Sequence, residues 1–317
     1  MKQRTPRKIV VTGSSGFIGL PAAEALAAEG YEVLGLDLAP PDVAGVKFET
    51  VRGDFSDLSF LLNFLGKQGI DTIVHTGGIS GPMLARDDPF AICRANVIGT
   101  MNLLEAARVS GVERFVFCGS ASAFGDTPPP PVPDDPPLRA VDIYSASKGA
   151  ADLMLRAYRV QHHLDAISLR ISNGYGPRRR TRCAVQQMIS DALDGVPTHF
   201  DWGRGYGRSY LFVHDAARAI VAATQVAHAA QWAYNITGAE FRMMEDVAAI
   251  VERQLPGARI TLDPGVDVLG YKREQLDISA AGRDLGWKPA FTIESGIAAY
   301  IDFLRTEKAT ALSSVHL

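Results

Sequence analysis

Gly13-Ser14-Ser15-Gly16-Phe17-Ile18-Gly19 decides how this chain is read. The stretch follows a β-branched run, Lys8 to Thr12, and opens an alanine-rich segment, Pro21 to Glu29, that reads as a helix with Gly30 just beyond it. Glycines spaced in this way allow a tight turn, let the backbone approach a pyrophosphate, and let helix and strand pack closely. The helix start then offers unpaired N–H groups and a positive dipole end to the phosphates. Asp37 closes the next strand, Tyr31 to Asp37, about 20 residues downstream, where a carboxylate accepts hydrogen bonds from an adenosine ribose. That carboxylate repels a 2′-phosphate, and the following residue is Leu38 rather than an arginine, so NAD is favoured over NADP.

Working outward, the first half alternates between strand and helix periods. Helices are predicted over Leu58 to Lys67, Pro89 to Ser110 and Tyr144 to His163, and strands over Thr72 to His75, Arg114 to Cys118 and Ala166 to Ile171. Short apolar strands alternating with helices make right-handed βαβ units and a parallel sheet covered on both faces. The fold class is therefore α/β, a doubly wound parallel sheet. Beyond Pro177 the alternation loosens. It gives a basic loop from Arg178 to Arg182, a helix Cys183 to Asp194, a Gly- and aromatic-rich loop Thr198 to Tyr206 and a strand Ser209 to Val213. Helices Asp215 to Ala227, Met244 to Gln254 and Ile293 to Thr306 follow, with a strand Tyr234 to Ile236 among them. The expected division is a cofactor domain, 1–177 plus about 209–236, and a smaller C-terminal substrate-binding domain, about 178–208 and 237–317. Pro128 to Pro137 holds seven prolines and reads as a stiff surface loop on the active-site rim.

Length and composition set limits. At 317 residues, with 47% hydrophobic and 21% charged, the chain has material for a sizeable core, which excludes disordered and stapled miniature folds. Its 32 basic and 35 acidic side chains leave a formal charge of −3, without the footprint of a nucleic-acid binder or a polybasic membrane arm. Cys93, Cys118 and Cys183 form no CxxC pair, so neither a disulfide framework nor a zinc site is expected. No apolar run has the length of a membrane span or of a signal-peptide core, and a cytoplasmic location is expected. His162, His163 and His214 are read as surface or structural groups, and no metal is expected.

Tyr144-Ser145-Ala146-Ser147-Lys148 begins the second long helix. Residues four apart share a helix face, so Tyr144 and Lys148 point the same way. A phenol keeps its proton near neutrality. One cation about 4 Å away, at an effective dielectric of about 20, favours its anion by roughly 4 kcal/mol. The positive nicotinamide ring adds to this, and Lys148 is also placed to bind the nicotinamide ribose. Ser120 lies at the C-terminal end of the Arg114 strand, where open α/β sheets bind ligands; it is the candidate to hold the substrate oxygen, with Ser122 as second choice.

Together these residues resemble the extended short-chain dehydrogenase/reductase superfamily, in its NAD-dependent epimerase/dehydratase branch. The resemblance runs through Gly13–Gly19, Asp37, Gly53-Asp54-Phe55, His75-Thr76-Gly77-Gly78, Asn96-Val97-Ile98-Gly99-Thr100, Ser120, Tyr144, Lys148, the stretch Leu169 to Pro177, and Leu285-Gly286-Trp287. It implies a Rossmann-type sheet and NAD as cofactor, bound by Gly13, Ser15, Gly16, Phe17, Ile18, Gly19, Asp37, Asp54, Phe55, Thr76, Gly77, Gly78, Asn96, Tyr144 and Lys148. It places Asp54 and Phe55 beside the adenine and Gly77 and Gly78 under the pyrophosphate and ribose. It makes Ser120, Tyr144 and Lys148 catalytic, and Ser80, Ser120, Ser122, Asn173, Arg178 and Arg208 substrate-binding. It also implies a homodimer through the two long helices, for which Leu103, Ala107, Leu153, Ala157 and Val160 have suitable spacing.

The implied activity is hydride transfer between NAD and a sugar-type alcohol carbon, as in a sugar nucleotide epimerase. A dehydrogenase of a free sugar, sugar acid or small hydroxy compound is the alternative. A non-catalytic NAD-sensing protein is a remote one, set against by the Tyr144/Lys148 pair. Dehydratase relatives carry an Asp-Glu pair after the catalytic hydroxyl; Ala121-Ser122 stands here, which disfavours dehydration. The loop Ile79 to Met83 and the stretch Asp201 to Arg208 also depart from the family pattern. Arg178, Arg179, Arg180, Arg182, Arg204 and Arg208 gather at the mouth of the expected cleft, where one or two of them would bind an anionic substrate.

Overall fold

A computed structural model describes residues 7–81, 84–85, 87–181, 183–267 and 271–314. Arg182 and part of the loop after the third predicted strand lie outside the described residues. The chain runs β1 (Lys8–Thr12), α1 (Gly19–Ala28), β2 (Glu32–Asp37), β3 (Glu49–Arg52), α2 (Leu58–Gln68), β4 (Thr72–His75), α3 (Pro89–Cys93), α4 (Thr100–Val109), β5 (Arg114–Ser120), α5 (Ile143–His162) and β6 (Asp165–Ile171). It continues through β7 (Gly174–Tyr175), α6 (Ala184–Asp194), β8 (Thr198–Arg204), β9 (Gly207–Ser209), β10 (Leu211–Phe212), α7 (Val213–Gln225), β11 (Ala233–Ile236), β12 (Phe241–Met243), α8 (Met244–Gln254), β13 (Ile260–Pro264) and α9 (Ile293–Ser314).

Seven strands form one sheet in the order β11-β6-β5-β4-β1-β2-β3, every neighbouring pair parallel. The strand order reverses between β1 and β4, so a crevice opens at their carboxyl ends, which is where such sheets bind ligands. The β-branched and aromatic residues of β1, β4, β5 and β6 are buried, as a sheet covered on both faces requires. One face packs its apolar side chains with those of α1 and α7, including Leu20, Leu26 and Ile220. The other packs with α2, α4 and α5, including Leu61, Leu103 and Leu155. Asp152 and Arg170, both fully buried and 2.6 Å apart, tie α5 to β6. A third apolar cluster joins Met188, Val247, Leu262 and Ile297 from α6, α8, β13 and α9.

Several expectations need correction. The segment read as one helix from Pro89 to Ser110 is broken by a π-helical turn, Arg94–Gly99, and the extra residue in that turn aims Asn96 inward. Thr198 to Tyr206 is not a loop: its alternating buried and exposed residues form β8, which pairs with β13. The glycines and aromatics there masked a period-2 pattern. The predicted strand Ser209 to Val213 is two short strands, β9 and β10, paired with different partners. The proline-rich loop contributes nothing to the cleft described below. The Asn235 amide of β11 holds it by donating to Val132 and Pro133 carbonyls, and Asp134 accepts the Asn235 N–H.

Candidate active site

The glycine-rich turn is held by backbone geometry. Gly13 has φ +68° and donates to Leu36 O at 2.8 Å. A Cβ on Gly19 would lie 2.0 Å from Gly13 O, and one on Gly13 would lie 2.6 Å from Gly77 Cα. No side chain caps α1 at Ile18; within its first turn Leu20 N is taken by Gly16 O and Pro21 has no N–H, so Phe17, Ile18 and Gly19 are the residues whose amides the turn can offer to the crevice. Thr76 Oγ1 donates to Thr12 O at 2.7 Å and fixes the turn to β4. Asp37 accepts Ser15 N at 2.9 Å and Leu38 N at 2.7 Å, which leaves carboxylate lone pairs for ribose hydroxyls. An open helix start, glycines with no room for a Cβ and a strand-end carboxylate fit a dinucleotide.

Several cofactor-assigned residues lie behind this cradle. The Phe55 ring fills the notch left by Gly77 and Gly99, where added Cβ atoms would lie 2.6 and 2.5 Å from it. It also meets His75 edge-on at 5.3 Å. Asp54 accepts Ser56 N at 2.8 Å. Buried His75 bridges Thr12 Oγ1 at 2.7 Å and Thr100 Oγ1 at 3.0 Å. Burial, and then the Lys148 charge, push its pKa down to about 3, so it is neutral. The Asn96 amide is taken up by protein. Its oxygen accepts Ile79 N at 2.9 Å, and its nitrogen donates to Ile79 O and Ser147 Oγ, each at 3.0 Å. Asn96 therefore braces the β4 loop against α5, and its amide is not left to grip a cofactor.

A cleft of about 700 Å³ runs from this turn across the sheet end, lined by Ser15, Gly16, Phe17, Ile18, Thr76, Gly78, Ser80, Ser120, Ser122, Tyr144, Lys148 and Asn173. Lys148 is buried, with Nζ donating to Cys118 O at 3.1 Å and lying 4.9 Å over the Phe117 ring. Ser120 and Ser122 hydroxyls are 2.9 Å apart, set by the tight turn that follows β5. The Cys118 thiol beneath them is pushed up to about 12 by burial, so it stays protonated and inert. The serines, the phenol and the ammonium thus share one wall although 28 residues of chain separate Ser120 from Lys148.

The arginines divide. Arg178 lines the cleft with φ +64° and pairs with Glu24 at 3.9 Å. Arg179 lies over the Phe17 ring and donates to Gly174 O, so it builds the wall. Arg180 also lines the cleft, whereas Arg204, exposed at the end of β8, does not. Arg208 lies 4.5 Å over the Tyr206 ring and donates to its hydroxyl at 2.6 Å. Sequence reading missed Arg273. It lines the cleft beside Arg208, and its Nε is cut off from solvent without a partner among the described residues. Burial and the Arg208 charge both weaken its hold on a proton, so an anion there would relieve both arginines. No local motif marks Arg273; only the fold brings it to Arg208.

Fold and cleft together set a glycine-rich turn and the Tyr144/Lys148 pair at the carboxyl ends of a doubly wound parallel sheet. The model of the NAD dependent epimerase/dehydratase family matches residues 9–237. The UDP-glucose 4-epimerase of Mycolicibacterium smegmatis is 32% identical over 314 residues, covering 95% of this chain and 99% of that protein. A dTDP-glucose 4,6-dehydratase of Streptomyces griseus is 30% identical over 310 residues, covering 92% of each. Among solved structures, the Thermus thermophilus UDP-glucose 4-epimerase with NAD superposes with a TM-score of 0.83 at 26% identity, over 94% of this chain and 99% of that one. The chain belongs to the NAD-dependent epimerase/dehydratase family, whose members are NAD-dependent enzymes.

Proposed function

We propose that the protein is an NAD-dependent sugar nucleotide epimerase. The observation that carries this is the cleft itself: Ser120, Tyr144 and Lys148 gather at one wall, and Arg208 and Arg273 lie together further along it. The substrate then has a sugar at the first group and a diphosphate at the second. Arg208 and Arg273 hold the diphosphate, with Ser80, Asn173 and Arg178 as further contacts. Ser120, with Ser122 behind it, holds the reacting oxygen. Tyr144 takes the hydroxyl proton, and Lys148 stabilises the phenolate and binds the nicotinamide ribose. Bound NAD supplies a reversible store for the hydride that leaves the carbon. Tyr144 returns the proton once the keto sugar has presented its other face, so the net reaction has no redox change.

Epimerisation is favoured over dehydration because the turn after Ser120 offers Ala121, Ser122 and Ala123, and no carboxylate to remove a carbon-bound proton. Incubation with NAD and UDP-glucose is expected to give the C4 epimer with flat NADH absorbance, and Tyr144→Phe to slow it about 10²–10⁴-fold with NAD binding kept. Steady NADH build-up, or full activity in Tyr144→Phe, would contradict the reading. The division of the chain into a cofactor unit, 1–177 with about 209–236, and a substrate unit from the rest is part of this proposal. It is supported by β11 in the main sheet and by the separate α6, α8 and α9 core. A cytoplasmic homodimer also belongs to it. Leu153, Ala157 and Val160 form an exposed apolar row on α5, and Phe90 on α3 and Ile98 in the π-helical turn are exposed as well. Leu103 and Ala107 face the core and take no part. Light scattering is expected to give twice the chain mass; the mass of one chain would overturn the dimer. Among the described residues no helix is long and apolar enough to cross a membrane.

A further inference from the structure

Asp142 caps α5, the helix that carries Tyr144 two residues later. One carboxylate oxygen accepts Ser145 N at 2.9 Å, and the other accepts Ser145 Oγ at 2.6 Å. A helix cap needs nothing more. Yet the second oxygen also accepts the hydroxyl of Tyr271, 129 residues away in sequence, and that same phenol accepts Val141 N at 3.2 Å. Tyr271 thus grips both residues that lead into the catalytic turn.

The other side of Tyr271 faces the arginines. Its carbonyl accepts the Tyr206 hydroxyl at 3.1 Å, and Tyr206 in turn accepts from Arg208. Arg273 lies 5.2 Å over its ring. The residues that follow bind the far wall: Lys272 O accepts Thr127 N at 3.1 Å, and Lys272 N donates to Asp126 Oδ1 at 2.8 Å. Asp126 and Thr127 come just after the turn that carries Ser120 and Ser122. A short segment therefore spans the arginines, the serine turn and the cap of the tyrosine helix.

We infer that Tyr271 is a positioning residue that transmits anion binding at Arg208 and Arg273 to the catalytic turn of α5. The inference rests on the reading above, in which those arginines hold the substrate's diphosphate. A bound diphosphate draws Arg273 and Arg208 together, which settles Tyr271 on Asp142 and fixes the direction of Tyr144. Substrate lacking the anion then binds weakly and also reacts slowly.

Tyr271→Phe keeps the ring under Arg273 and the carbonyl for Tyr206, and deletes only the oxygen that reaches Asp142. With UDP-glucose, kcat is expected to fall about tenfold while KM and NADH affinity stay within about twofold. Asp142→Ser keeps a good cap but is too short to reach Tyr271, and should match that loss. The double variant should lose far less than the two single losses combined, because the Tyr271–Asp142 contact is already broken in each single variant. Hydrogen exchange gives a readout independent of turnover: UDP should protect residues 143–148 in the wild-type protein and not in Tyr271→Phe. A wild-type kcat in Tyr271→Phe, a loss confined to KM, or additive losses in the double variant would overturn the inference. Binding of UDP by the wild-type protein without protection of 143–148 would overturn it alone. Failure of UDP to bind the wild-type protein by calorimetry would instead contradict the diphosphate reading on which it rests.

Discussion

The two ends of the cleft are built in opposite ways. The dinucleotide end is made by backbone: Gly13 packs against Gly77, Gly19 against Gly13 and Thr76, Gly16 lies close to Gly13 O, and the whole turn occupies seven consecutive residues. The anion end is made by side chains from separate stretches, Tyr206 with Arg208 and Tyr271 with Arg273, which meet only in the folded chain. The backbone-built end tolerates no added atom. The side-chain end has no such backbone lock, and in the proposed function it is the end that selects the substrate. One fold can thus keep a cofactor constant while its substrate varies, because the two sites obey different physical constraints.

Breaking the backbone end should strike cofactor binding. Gly19→Ala would ordinarily favour a helix by about 1 kcal/mol, but its Cβ meets Gly13 O at 2.0 Å. Overpacking of about 1–3 kcal/mol wins, so NAD affinity should fall by about 10–100-fold, read by NADH fluorescence titration. Affinity equal to wild type would mean that the turn is not under this constraint. Loss at the side-chain end should be selective. Arg273→Ala removes charge-assisted hydrogen bonds of about 1.5–3 kcal/mol and should raise KM about 10–100-fold with NAD affinity unchanged. Equal losses in both affinities would erase the contrast. His75→Gln should leave both ends of the cleft unchanged at neutral pH and act on stability below it, because the folded His75 pKa of about 3 lies below its ordinary 6.5. The unfolded chain binds the extra proton between those values, so the stability that His75 contributes is present above about pH 6.5 and is lost as pH falls toward 3. Its slope approaches about 1.4 kcal/mol per pH unit. Urea titrations should show a shallower acid dependence in His75→Gln than in the wild-type protein.

The same contrast explains what was legible in the sequence. Gly13–Gly19, Asp37 and the Tyr144/Lys148 pair are local patterns, and they lie where strand and helix periods put them. The parallel sheet followed from those periods, and the return of Tyr234–Ile236 to it was visible as a strand that follows a helix. Non-local features were hidden. The short strand β3 has half-exposed residues and no apolar signal, and β8 and β13 make sense only as a pair. Asn96 could be flagged but not aimed, because its direction depends on a π turn that propensity does not announce. Leu103 and Val160 show the same apolar spacing, yet one faces the core and the other solvent, and periodicity alone does not choose. Six arginines stood out by their density, while Arg273 did not, although its sealed Nε makes it the stronger candidate.

In the proposed reaction a hydride leaves one sugar carbon and returns to the same carbon, and Tyr144 alone handles the proton. The most direct test is turnover of UDP-glucose with NAD in D₂O, followed by NMR of the product. The account predicts the C4 epimer with no solvent deuterium on any carbon. Deuterium on a sugar carbon, with loss of the 6-hydroxyl, would show that a carbon-bound proton is removed and replaced, and would contradict it.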